Sequence, residues 1–213
     1  MKEPSLHDKK LAELVGIILG DGCIGIYECK ANDKIKVQHK LQITLSKAEK
    51  AYAYYIKDLF IELFDVEPII KFRKNENALD ILIFKKSVVL FFIEKVKLKL
   101  SPKKGRVIIP EIYTIPPFDK FVLRGYFDTD GCITLTNNNG ILYPRIEFKV
   151  QSISLKNQFE VILKRMKFRF GVYQIGVERF RFQLNGKVQL QKWAREIGSK
   201  NENHIKKFSG GRI

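Results

Sequence analysis

Apolar residues recur along this chain with two periods, and each change of period marks an element. Residues 8–20 and 118–129 carry apolar side chains at helical spacing, and each run stops at an Asp-Gly pair, Asp21-Gly22 and Asp130-Gly131. The spacing predicts a helix in each, with the glycine suited to a left-handed residue just past the helix C-terminus. After each helix the period drops to two. Val37, His39, Leu41 and Ile43 alternate with Lys36, Gln38, Lys40 and Gln42, and Ile146, Phe148 and Val150 alternate with Arg145, Glu147, Lys149 and Gln151. Both stretches read as hairpin strands, and Asn137-Asn-Asn-Gly140 is a strong turn in the second. Helices are expected over 47–64 and 155–168. A second hairpin follows each, with turns near 74–78 and near Gly176, and Phe180, Phe182 and Leu184 alternate with Arg179, Arg181 and Gln183. Helices over 87–98 and 187–197 close the two series.

The order αββαββα therefore occurs twice, and the residues repeat with it. Leu14-Val-Gly-Ile-Ile-Leu-Gly-Asp21-Gly-Cys-Ile24 matches Leu123-Arg-Gly-Tyr-Phe-Asp-Thr-Asp130-Gly-Cys-Ile133, with Asp21 and Asp130 lying 109 residues apart. The same spacing pairs Gly16 with Gly125, Gln42 with Gln151 and Lys47 with Lys156. An internal repeat of this kind implies two copies of one module. The expected organisation is a first module over 1–100, a Lys- and Pro-rich linker over 101–117 and a second module over 118–213. The fold class is α+β: two tandem, pseudo-symmetric αββαββα modules forming a basic β-saddle. Strand parity places Ile24, Ile26, Ile133 and Leu135 in the core, with Tyr27, Thr134 and Thr136 on the opposite face. The tail after His204 reads as a short basic end.

Charge decides what the polar face of the sheets is for. The chain has 39 Lys and Arg against 23 Asp and Glu, a net charge of +16. Such a field favours a polyanionic partner. A membrane is a poor candidate, because no apolar run approaches the roughly 20 residues needed to span one. The charged first ten residues also lack a signal-peptide pattern. Cys23, Cys29 and Cys132 form no Cys-x-x-Cys pair and read as reduced thiols, which suits a cytoplasmic or organellar-matrix setting. The three histidines stand singly and make no zinc pattern. Duplex DNA is the expected partner, since Lys, Arg and Gln read phosphates and base edges and a β-ribbon fits the major groove. The surface is expected to comprise Tyr27, Lys36, Gln38, Lys40, Lys71 and Arg73 from the first module. The second adds Thr134, Thr136, Arg145, Glu147, Lys149, Arg179, Arg181 and Gln183. The modules differ at matched positions, so the site is expected to be at most pseudo-palindromic.

The two helix ends carry the chemistry. Gly16 and Gly20 share one helix face, as do Gly125 and Thr129, and small residues let two helices approach backbone to backbone. If the helices pair, Asp21 and Asp130 meet at the negative ends of two helix dipoles, an arrangement unfavourable without a cation. Oxygen ligands there suit magnesium, which activates water and stabilises charge on a phosphate.

The sequences 14–22 and 123–131 resemble the LAGLIDADG motif, after which a family of homing endonucleases is named. The resemblance spans most of the chain, in the tandem arrangement of its single-chain members, and includes 97–104 and 196–204 after each last helix. It implies a monomeric, metal-dependent endonuclease that cuts both strands of one long DNA site and leaves 3′ overhangs. It implies two or three Mg²⁺ ions, with Mn²⁺ or Ca²⁺ able to substitute in binding. Asp21 and Asp130 would be metal ligands, assisted by the carbonyls of Gly20 and Thr129. The family places Gln and Lys around its metals. Gln42 and Gln151 are candidates for the first, with Thr44 or Leu45 as alternatives. Lys103 and Lys200 are candidates for the second, with Lys99 and Lys104 as rivals. Leu19 departs from the motif where Asp128 keeps it, and Asp128 is not assigned to metal. An RNA-splicing maturase or a non-cleaving DNA-binding regulator is the alternative on the same fold.

Overall fold

The computed structural model describes residues 2–31, 34–103 and 105–209. The repeat is realised element by element. In the first half α1 (Lys9–Gly20) leads to strands β1 (Gly22–Ala31) and β2 (Lys34–Ser46), then α2 (Lys50–Phe64), β3 (Ile69–Phe72), β4 (Ala78–Ile83) and α3 (Lys86–Leu90). In the second half α4 (Asp119–Asp130) leads to β5 (Gly131–Asn138), β6 (Ile141–Val150), α5 (Ile153–Arg165), β7 (Gly171–Gly176), β8 (Arg179–Asn185) and α6 (Lys187–Glu196). The helix expected over 87–98 is only partly α-helical: after Leu90 it continues as a π-helical turn over Phe91–Lys95. The tail is not a bare basic end, since Glu202–Ser209 forms α7 and Lys207 Nζ donates to the Ile133 carbonyl at 2.7 Å.

Each half builds a four-stranded antiparallel sheet, in the orders β1-β2-β4-β3 and β5-β6-β8-β7. One face of each sheet packs on its helices. Phe60, Phe64 and Phe92 fill the first core, and Phe148, Phe159, Phe182 and Trp193 fill the second. Burying each such side chain contributes roughly 1.5–3 kcal/mol, which is why the alternating strands keep one register. Beyond the buried core, however, the first hairpins project as two-sided arms. Ile24 and Ile133 are buried as expected, but Ile26 (41% exposed) and Leu135 (43%) are not core residues. Their parity is correct, but the buried core of each half ends before it reaches them. In the second arm, positive φ at both Asn139 and Gly140 makes the two-residue turn that the sequence announced.

The glycines after the two aspartates serve a purpose other than the expected one. Neither Gly22 nor Gly131 has positive φ. A Cβ on Gly22 would lie 2.6 Å from Ile18 Cα, and one on Gly131 would lie 2.4 Å from the Phe127 carbonyl oxygen. They let the strand fold back directly against the helix it leaves.

The halves are joined by α1 against α4, side by side and parallel. A Cβ on Gly16 would be 2.1 Å from the Val122 carbonyl oxygen, and one on Gly125 would be 2.1 Å from that of Glu13. The buried Glu13 carboxylate, which accepts from Arg124 and, at 2.9 Å, from the Tyr55 hydroxyl, ties the halves together. The segment expected as a linker is packed: Val107, Ile109 and Tyr113 are buried, and Gln158 holds both backbone groups of Ile109 at 2.8 Å. Among the described residues no helix is long and apolar enough to cross a membrane.

Candidate active site

The paired helices end together, and this brings Asp21 and Asp130 to the floor of one cleft of about 530 Å³. The same cleft is bordered by Gly20, Thr129, Lys103, Cys132, Glu147, Lys149 and Gln151. Burial raises the Asp21 carboxyl to about 7, reinforced by the charges of Asp130 and Glu49 against the pull of Lys103. Asp130 keeps solvent access yet is also raised, chiefly by desolvation, with Lys103, Tyr126 and Lys149 opposing. Both carboxylates are thus held where ionisation is unfavourable without a nearby cation. Two carboxylates lining one cleft supply hard oxygen donors of the kind that divalent cations take. The residues present fit such an ion. Among the described residues no three or more His, Cys, Asp or Glu cluster to hold a metal, so the protein's own side-chain donors here are the two aspartates.

Lys103 lies between the two halves. Its ammonium donates to the carbonyls of Ile18 (2.9 Å), Leu19 (2.8 Å) and Gly20 (2.7 Å), closing the C-terminus of α1. Burial lowers it to about 8 in spite of the two nearby aspartates. The Gly20 carbonyl, expected to face metal, is therefore engaged by Lys103 in this structure.

Lys200 does not mirror Lys103. Its Nζ lies over the Tyr55 ring, 5.8 Å from the centroid, on the flank of the molecule. The residue that closes α4 is Asn201, whose Nδ2 donates to the Asp128 carbonyl at 3.0 Å and to Glu49 Oε1 at 2.7 Å. Asp128 is buried and accepts from Ser199 Oγ and from the Lys200 backbone N–H (2.7 Å), so it anchors the tail and stays out of the cleft. Lys200 is exposed, and Lys200→Met is expected to change stability by no more than about 0.5 kcal/mol, as thermal unfolding would show. Lys99 is exposed and borders a groove with Ile108 and Glu111, away from the aspartates. Lys104 lies outside the described residues.

The constant spacing of the repeat does not survive the hairpins. Gly22 pairs with Ile43, but Gly131 pairs with Phe148, because β1 has 10 residues and β5 has 8. The structural counterpart of Gln42 is therefore Glu147, not Gln151, and Lys149 matches Thr44. Gln42 is turned onto the sheet, where its Nε2 donates to Asp80 Oδ1 at 2.8 Å and to Thr44 Oγ1 at 3.2 Å. Leu45 is a core residue. Gln151 alone of the two glutamines borders the cleft.

The polar sheet faces carry most of the expected surface residues. Tyr27, Lys36, Gln38, Lys71, Thr134, Thr136, Lys149 and Arg179 are exposed, and Lys40 is half-buried. Arg181 lies over the Tyr173 ring. Gln183 is instead buried and donates to Glu147 Oε1 at 2.6 Å, and Arg145 is held by Asn185 and Glu147. Arg73 is paired on two sides, with Asp80 and with Glu76. The sequence reading missed Glu49, Asp80 and Asn201. Only Asp80 left a local signal, as a lone acid on the polar parity of a strand in a basic sheet.

Comparison with known proteins agrees with this geometry. The chain is 24% identical over 188 residues to a DNA polymerase of Thermococcus kodakarensis, covering 84% of this chain and 10% of that protein. It is 25% identical over 210 residues to a DNA polymerase of Methanocaldococcus jannaschii, covering 93% and 11%. The chain thus spans about a tenth of the length of these curated relatives. Its fold matches the structure of I-DmoI in complex with DNA and Ca, with TM-score 0.66, 15% identity and coverage of 95% and 98%. It also matches the meganuclease I-AabMI bound to uncleaved DNA, with TM-score 0.63, 16% identity and coverage of 93% and 88%. The model of the LAGLIDADG DNA endonuclease family matches residues 12–185, and with both motif helices joined as described, the chain belongs to that family.

Proposed function

We propose that this protein is a monomeric, divalent-metal-dependent endonuclease that binds one long duplex DNA site, pseudo-palindromic or asymmetric, and hydrolyses both strands, leaving 3′ overhangs. The observation that carries the reading is the convergence of Asp21 and Asp130 beneath two basic sheet faces, with Lys103 beside them. The exposed Lys and Arg of the sheets neutralise backbone phosphates and seat the duplex across both halves. Both halves lie in one chain, so no second copy is required.

Asp21 and Asp130 would hold the metal, with Mg²⁺ the expected ion and Mn²⁺ or Ca²⁺ able to take its place in binding. Once bound, the ion would supply Lewis-acid stabilisation of the scissile phosphate and a water of lowered pKa. Lys103 contributes fixed positive charge between the carboxylates, and Lys149 contributes a further ammonium beside Asp130. Charge set in place before the reaction is effective because it needs no reorganisation as negative charge develops. Removing one such group is expected to cost on the order of 10²-fold in rate. Lys103→Met should therefore cut far more slowly while still binding duplex DNA.

The test is a cleavage selection on randomised duplex DNA with Mg²⁺ or EDTA, comparing wild type with Lys103→Met. Recovery of one long site, cut on both strands only with metal, supports the reading. Tight binding of DNA or RNA with no cutting in any divalent metal would overturn it in favour of a splicing or regulatory role.

A further inference from the structure

The carboxylate of Asp80 is an isolated acid on the basic polar face of the first sheet, and it is saturated. Its Oδ2 accepts from Arg73 Nε at 2.8 Å. Its Oδ1 accepts from Arg73 Nη2, Thr44 Oγ1 and Gln42 Nε2, each at 2.8 Å. Arg73 Nη1 also donates to Glu76 at 2.7 Å. The Asp80 side chain is only 9% exposed, whereas that of Arg73 is 32% exposed. An oriented guanidinium therefore sits at the surface on a buried carboxylate, with its own charge balanced.

This arrangement favours one kind of contact. A phosphate-binding arginine works through net charge, and two carboxylates cancel the charge of Arg73. Directional donors remain. A guanidinium has five N–H groups, and three are engaged, which leaves two on a side chain that Asp80 prevents from rotating. Two donors on a fixed plane match the O6 and N7 acceptors of guanine in the major groove. The second sheet does not repeat the two-point clasp: Arg145 reaches Glu147 through Nη1 alone, at 3.4 Å. Arg181, which faces Lys149 as Asp80 faces Thr44, lies over the Tyr173 ring without a carboxylate partner in the bonds described.

We propose that Arg73 reads a guanine in the half of the DNA site bound by the first module, and that Asp80 is the positioning residue that makes it a base reader and not a phosphate contact. The inference rests on the DNA-binding reading above.

The experiment selects bound duplexes from a randomised library in Ca²⁺, without cleavage, using wild type, Arg73→Lys, Arg73→Ala, Asp80→Asn and Asp80→Ala. Wild type should recover a long site with guanine fixed at a position on one side. Arg73→Lys and Asp80→Asn should lower the preference for guanine at that same position by roughly tenfold, leaving the rest of the profile intact. The salt dependence of binding should match wild type in Arg73→Lys and should, if it changes at all, steepen in Asp80→Asn, where the guanidinium is released toward phosphate. Asp80→Asn keeps the shape of the side chain, so it reports even if Asp80→Ala fails to fold. An unchanged profile in Asp80→Asn, a uniform loss across the site, or a salt slope that falls by about one in Arg73→Ala would each overturn the proposal. If wild type selects no duplex at all, the DNA-binding reading itself has failed, and this proposal falls with it.

Discussion

Asp21→Asn and Asp130→Asn should each abolish the proposed DNA cleavage and, in the absence of metal, Asp21→Asn should make the protein more stable. The two effects share one cause. Asp21 is held at about 7 in the folded protein by burial and by the neighbouring Asp130 and Glu49. A carboxyl raised above its unfolded value binds its proton more tightly when folded. Its contribution to stability is therefore complete below about pH 4, where both states are protonated. It is lost as the pH rises through about 7. At about 1.4 kcal/mol per pH unit, metal-free wild type should be less stable at pH 8 than the Asn variant by roughly 2–4 kcal/mol. Thermal unfolding in EDTA at pH 5 and pH 8 checks this, and the advantage of the variant should grow between the two. Adding Mg²⁺ or Ca²⁺ should raise the Tm of wild type and not that of the double Asn variant, because an ion that binds only the folded state stabilises it by mass action. A double variant that is less stable in EDTA at pH 8, or that still responds to metal, would show that the aspartates do not form the site.

Gly16→Ala and Gly125→Ala should be the most destabilising single-methyl changes in the protein. Each new Cβ would stand 2.1 Å from a backbone carbonyl oxygen of the facing helix, that of Val122 or of Glu13. No rotamer change relieves a backbone clash, so the helices must part. Overpacking a well-filled interface typically costs 1–3 kcal/mol and more where nothing can give; about 3 kcal/mol or above is expected here. For a chain of this size that corresponds to a fall in Tm of roughly 6–12 °C. Gly20→Ala is the internal comparison. Its Cβ would meet Thr129 Oγ1, also at 2.1 Å, but a side-chain hydroxyl can rotate away, so the cost should be smaller. Separating the helices also separates Asp21 from Asp130. Gly16→Ala should therefore lose cleavage at temperatures where circular dichroism still reports folded protein. Equal melting of all three variants would mean that the helix pair is not backed up against backbone.

These two predictions rest on features the amino-acid sequence determines by itself. Helical and alternating periods are local properties, and they located both motif helices, the strand faces and the Asn139-Gly140 turn. Small residues four apart on a helix face announce close packing wherever the partner lies. The repeat of Asp21 in Asp130 announced that the partner is the same helix in a second copy. Where the chain pairs with distant parts of itself, tertiary structure decided. Gln42 and Gln151 share a spacing in sequence but not a place in the fold, since the second hairpin is shorter than the first by about two residues on each strand, which moves the partner of Cys132 four residues back to Glu147. Ile26 and Leu135 have core parity yet stand in water, because burial depends on how far the core extends beneath a strand. Lys103 reaches the aspartates and Lys200 does not, because the path of the segment after each last helix is set by its packing on the opposite half. Periodicity records which way a side chain faces; what it meets there is a matter of distances between segments, and those exist only once the chain has folded.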